Sequence, residues 1–96
     1  MKAAYVVGQI CIKDQKAWQQ YKSQVPKTLE PYDAELVFRG THAKDYSGET
    51  QYTNFVVIRF SNLDAANRWF NSSAYQAIVP LRKQAADVLL TVYEDQ

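Results

Sequence analysis

Arg39, His42, Tyr75 and Arg82 are the side chains of this sequence best suited to holding an anion or moving a proton. Arg39 stands between Phe38 and Gly40 in an otherwise apolar stretch, where a guanidinium can hold a carboxylate or enolate oxygen through two parallel hydrogen bonds. Gly40 beside it would let a ligand approach the backbone closely. Arg39 could instead pair with Glu35, which lies on the same face of a regular strand. His42 is the only histidine, the residue whose ordinary pKa suits proton transfer near neutrality, although beside a polar turn it could simply be solvated. The Tyr75 hydroxyl needs a partner if it is buried. Arg82, just past Pro80, could serve as a second anion contact or could cap the last carbonyls of a helix. Trp18, Tyr21 and Trp69 project from helical segments, and either line a cavity between helices and sheet or pack the core.

Other chemistries find little support. A lone histidine cannot form a multi-histidine metal centre, and no metal is expected. No nucleophile elbow, phosphate loop or dinucleotide fingerprint occurs, and three glycines are too few for most such loops, so no cofactor is expected. Cys11 alternates with apolar neighbours and reads as a buried, inert thiol. A single cysteine cannot form an internal disulfide, which suits a reducing compartment. The net charge of +1, with no run of one sign, argues against nucleic-acid binding. The opening run MKAAYVVGQICIK is too short to span a bilayer and lacks a signal-cleavage pattern, so a cytoplasmic protein without a membrane anchor is expected.

The elements that must position these residues follow from pattern. With 47% hydrophobic and 22% charged residues, the 96-residue chain reads as one ordinary globular domain, residues 1–96. AAYVVGQICI alternates as a strand, with Tyr5, Val7 and Cys11 on one face and Val6, Ile10 and Ile12 on the other. Asp14 is placed to cap a helix whose apolar stripe runs Trp18, Tyr21, Val25, Leu29, Tyr32, with a kink or restart expected at Pro26. AELVFRGTHAK and YTNFVVIRF are strands joined by the turn chemistry of DYSGETQ, which suggests an antiparallel hairpin. Ser61 with Asp64 resembles a capping box before NLDAANRWFN; Ser72 or Ser73 caps a further segment, in which Pro80 is tolerable if it begins a new turn. DVLLTVYE is the last strand. The order β-α-β-β-α-β is that of a ferredoxin-like α+β sandwich with a four-stranded antiparallel sheet.

Such helices cover one face of the sheet only. Yet Val56, Val57 and Ile58 are consecutive, and Val88, Leu89, Leu90, Val92 and Tyr93 repeat the pattern, so both faces are apolar where a solvated face would alternate. A second copy of the chain, joined through a two-fold interface on the open face, is the economical cover.

As a whole the chain resembles the DUF1330 family of small bacterial proteins. The likeness rests on YVVGQICIKD, on Phe38-Arg39-Gly40, on FVVIRF and, most specifically, on RWFNSSAYQAIVPLRKQAAD, where Trp69, Tyr75, Gln76, Pro80, Leu81 and Arg82 keep family spacing. It implies a dimeric α+β barrel, a fold whose other members include cofactor-independent monooxygenases, haem-degrading proteins and lactone isomerases; fold by itself does not give function. The chain departs from the family at Thr41-His42, where relatives often carry a second glycine, and at Ser73-Ala74 before Tyr75, where they often read Pro-Glu. Arg59 replaces a frequent acid, so a catalytic role for that acid would not transfer.

Two functions follow. In the first, an aromatic pocket formed by Trp18, Tyr21, Arg39, Trp69, Tyr75 and Arg82 holds a small apolar anion without catalysis. In the second, a cofactor-independent isomerase or monooxygenase uses Arg39 as anion anchor and Tyr75 or His42 for proton transfer. A cavity of several hundred cubic ångströms lined by Arg39 and Tyr75 would favour a ligand site, and a filled core would leave only a structural dimer.

Overall fold

The computed structural model describes residues 2–96. Strand β1 (Ala4–Ile12) leads into helix α1 (Gln15–Leu29) and a 3-10 turn (Glu30–Tyr32); β2 (Glu35–Thr41) and β3 (Asn54–Phe60) follow; then come α2 (Leu63–Phe70), α3 (Ser73–Ala85) and β4 (Ala86–Glu94). The four strands form one antiparallel sheet in the order β2-β3-β1-β4, the expected ferredoxin-like α+β topology.

Alternation along β1 decides which face meets the helices. Ala4, Val6 and Ile10 are buried; Phe60 and Ile58 of β3 pair with Ala4 and Val6, and Leu90, Val88 and Ala86 of β4 pair with Gly8, Ile10 and Ile12 on the same face. These pack against Trp18 and Tyr21 of α1, Ala65, Ala66 and Trp69 of α2, and Tyr75 and Ile78 of α3. Tyr5, Val7, Gln9 and Cys11 point to the other face, which no helix covers.

The helix ends refine the expectations. Asp14 caps α1, its carboxylate accepting from the Ala17 amide at 3.1 Å, and Ser72 caps α3 by accepting from the Tyr75 amide at 3.2 Å. The cap of α2 is Asn62 rather than Ser61: Asn62 has the extended backbone of a cap and accepts from Ala65 at 2.8 Å. Asp64 pairs instead with Arg68 one turn on, at 3.0 Å. Neither internal proline divides its helix. The α1 helix continues through Pro26 to Leu29, and α3 runs unbroken through Pro80 to Ala85. A proline removes one backbone donor, and the surrounding turns of each helix hold it in phase.

β2 carries a bulge. Leu36 pairs with Ile58 but Phe38 pairs with Val57, so an extra residue is accommodated between them. Because side chains alternate, that single residue inverts the facing of everything after it. Arg39 pairs with Val56 and so turns to the helix side, whereas Glu35 pairs with Arg59 on the opposite face. The expected Glu35–Arg39 pairing on one strand face is therefore absent.

Candidate functional site

A cavity of about 110 Å³ lies between α1 and the sheet. Its floor is the inward row Gly8, Ile10, Val56, Ile58, Val88 and Leu90. Gly8 is the reason there is space: a Cβ there would stand 2.8 Å from Val56 Cγ1 and 3.5 Å from Leu90 Cδ1. Over the floor, α1 presents Trp18 and, three, four and seven residues on from it, Tyr21, Lys22 and Val25, and α2 contributes Trp69. Arg39, brought round by the bulge, is exposed at the rim, and Asn54 completes the polar lining. Lys22 and Arg39 are cations, and among the described residues no carboxylate, imidazole or thiol borders the cavity. Arg39 has no hydrogen-bond or ion-pair partner among the described residues.

Of the residues picked out in the sequence, Trp18, Tyr21, Arg39 and Trp69 meet at this cavity. Tyr75 and Arg82 stand behind its wall. Tyr75 is fully buried, with its ring centroid 4.2 Å from that of Trp69. Its hydroxyl lies 2.8 Å from the Tyr21 hydroxyl and accepts from Arg82 Nη1 at 2.9 Å. Tyr75 and Arg82 are seven residues apart, two turns on one helical face, and only a helix continuous through Pro80 aligns them. Burial foremost, with the Tyr75 hydroxyl alongside, holds the Tyr21 phenol far above the ordinary tyrosine range; Arg82 offsets this in part. Tyr21 is therefore a neutral donor or acceptor, not a base.

The Trp69 indole is fixed from outside the cavity. Its Nε1 donates at 3.0 Å to the Thr28 hydroxyl, which in turn donates to the Val25 carbonyl at 2.6 Å. This ties α2 to α1 at a buried point.

His42 does not reach the cavity. It stands just past β2 and its Nε2 lies 2.9 Å from Asp45 Oδ1. Asp45 also accepts from the Thr50 amide at 2.9 Å and the Thr50 hydroxyl at 2.8 Å, so His42 belongs to a carboxylate-centred loop clamp. Gly40 serves its neighbour more directly than a ligand: the Phe38 ring lies over it, 2.6 Å from where a Cβ would be. Cys11 is half-buried on the uncovered face, not sealed in the core, and its thiol donates to the Gln51 carbonyl. Sequence reasoning passed over Lys22 and Asn54. Lys22 sits four residues after Trp18 and three before Val25, inside the cavity-facing stripe, and that spacing was the available signal.

The sequence matches the profile of a domain of unknown function (DUF1330) over residues 3–95. The chain belongs to the DUF1330 family. No curated protein matches it significantly. Among solved structures, a protein of unknown function from Rhodopseudomonas palustris superposes with a TM-score of 0.84 at 12% identity, covering 99% of this chain and 83% of that one. SnoaB, a cofactor-independent oxygenase from Streptomyces nogalater, superposes with a TM-score of 0.72 at 5% identity, covering 100% and 95%. A dimeric protein of unknown function with a ferredoxin-like fold, from Bacteroides fragilis, gives 0.68 at 13% identity, covering 97% and 96%. At these identities the likeness is one of fold. These neighbours share with the present chain the fold of sheet and helix layer. No helix among the described residues is long and apolar enough to cross a membrane.

Proposed function

We propose that this DUF1330 protein is a homodimer in which each subunit binds a small, largely apolar anion in the cavity between α1 and the sheet. One observation carries the reading: an apolar, aromatic-walled cavity whose only charged lining residues are the cations Lys22 and Arg39. Its volume is near that of engineered cavities of about 150 Å³ that take up benzene, which points to a ligand of one ring. It is smaller than the several hundred cubic ångströms of larger ligand sites. The guanidinium at the rim supplies planar donors for a carboxylate while the ring displaces water from the apolar floor. With no histidine, carboxylate or thiol on the wall, and with Tyr75 and His42 outside it, holding a ligand is better supported than proton abstraction. The oxygenase neighbour keeps turnover as the alternative, on fold likeness alone.

Assembly is supported by the uncovered sheet face. Phe38, Phe55, Leu89 and Tyr93 are exposed there around half-buried Val7 and Val57. The chain exposes 6434 Å², where monomers of its 11.0 kDa ordinarily expose about 5600 Å². The excess is close to the roughly 800 Å² that each partner buries in a standard interface.

Both tryptophans border the cavity, so their fluorescence reads its occupancy directly. Titration with benzoate should give a saturable change, weaker with the uncharged benzamide and weakened about ten-fold by Arg39→Ala, the loss of one charge-assisted contact. A flat titration with both compounds would reject the binding reading.

A further inference from the structure

The donor count favours one direction for the buried Arg82–Tyr75–Tyr21 chain. A guanidinium only donates, so the Tyr75 oxygen, 2.9 Å from Arg82 Nη1, is an acceptor in that contact. Tyr75 has one hydroxyl hydrogen and no exposure at all, and the Tyr21 oxygen at 2.8 Å is its acceptor. The reverse arrangement would leave that hydrogen without a partner in the fully buried position, which is costly. The Tyr21 oxygen therefore accepts from Tyr75, and its own hydrogen has no protein acceptor among the described residues. Among the described residues that line the cavity, Tyr21 is the only one that carries a hydroxyl.

We infer that Tyr21 donates this hydrogen to an oxygen of the bound molecule, and that Tyr75 and Arg82 are positioning residues that fix the donor and place a positive charge behind it. The inference rests on the binding reading above and narrows the ligand. Beyond the anionic group that Arg39 and Lys22 hold, the molecule carries a second acceptor oxygen, of the phenolate, enolate or carbonyl class. Negative charge on that oxygen is favoured because each hydrogen bond of the chain points the same way, from guanidinium to ligand, and polarises the next. The same alignment is what stabilises a developing oxyanion. Tyr21 stays protonated across the working pH range, as a donor must.

The test uses 4-hydroxy-3-nitrobenzoate, whose phenol absorbs differently when ionised, and 3-nitrobenzoate, which lacks the phenol and is otherwise the same. The intact protein should bind the hydroxylated probe about ten-fold more tightly, one charge-assisted hydrogen bond, with its bound spectrum displaced towards phenolate. Tyr21→Phe should abolish both the preference and the displacement while 3-nitrobenzoate still binds within about two-fold. Arg82→Gln should move the bound spectrum back towards phenol, a change that loss of packing alone would not produce, and Arg82→Lys should restore part of it. Should Tyr21→Phe fail to fold, the two probes on the intact protein and the Arg82 pair decide. Equal affinities for the two probes with an unshifted spectrum would overturn the donor role and leave anion binding standing. Absence of saturable binding by either probe would overturn the anion-binding reading and the donor role together.

Discussion

Two residues make the cavity what it is, one by lacking a side chain and one by holding a wall in place. Gly8 sits on the central strand β1, where any Cβ would press on Val56 at 2.8 Å. Val56 Cγ1 belongs to a short, β-branched side chain with little freedom to yield. Gly8→Ala is expected to cost about 1–3 kcal/mol through overpacking and to weaken benzoate binding at least ten-fold, as read by urea denaturation and tryptophan fluorescence. Unchanged binding with an added Cβ would mean that the ligand site lies elsewhere. Thr28 holds the opposite wall. Thr28→Val keeps the shape but leaves the buried Trp69 N–H without an acceptor, a loss of about 1–3 kcal/mol; Thr28→Ser, which keeps the hydroxyl, should recover most of it. If Val and Ser variants unfold at the same urea concentration, the bond to Trp69 contributes nothing.

At the scale of elements, the loop between β2 and β3 is organised by Asp45, and its behaviour with pH follows from the direction of one shift. Hydrogen bonds from the Thr50 amide first, then from His42 and the Thr50 hydroxyl, lower the Asp45 pKa from 3.8 to about 2. A depressed folded-state pKa contributes stability that is complete above the ordinary value and is lost as pH falls through the depressed one. The loop clamp should therefore hold at pH 5 and release between about pH 4 and pH 2, seen in the Thr50 amide resonance. Asp45→Asn should remove that transition and speed amide exchange in residues 43–52 at neutral pH; an identical acid titration in the variant would place the transition on another group. Much at this scale was readable beforehand. The order of elements along the chain, the Asp14 and Ser72 caps and the turn at Gly48, which has φ of 79°, come from local chemistry that neighbouring residues settle among themselves. The bulge in β2 was not readable, because nothing in ELVFRGT marks which residue is extra; pairing with β3 decides it. The bulge turns Arg39 towards the cavity and leaves Glu35 on the other face. Pro26 misled for the opposite reason: a local rule predicts a kink or restart there, and tertiary packing of α1 carries the helix through it to Leu29. The Tyr21–Tyr75 contact spans two helices and 54 positions, beyond the reach of any spacing argument.

The whole molecule is a slab, 34 by 32 by 16 Å in its Cα extents, which is one sheet with one helix layer and nothing on the far side. Two such slabs facing each other across their sheets would bury the exposed Phe38, Phe55, Leu89 and Tyr93, and light scattering should report twice the 11.0 kDa chain mass. Leu89 is the informative position. It lies opposite Gln9 on the uncovered face, is 45% exposed and does not border the cavity, so Leu89→Glu should keep the fold and leave a monomer at micromolar concentration. Burying two symmetry-related carboxylates against an apolar sheet costs several kcal/mol for each, more than such an interface can absorb. A wild-type chain that scatters as a monomer would remove the dimer from the reading. The monomeric variant also separates assembly from binding. Because the cavity opens on the helix side of the sheet and every group named in it belongs to one chain, benzoate affinity should survive dissociation within about two-fold. Loss of binding in a folded monomer would instead mean that the partner, acting through the sheet, holds Val56 and Leu90 in the positions that keep the space over Gly8 open.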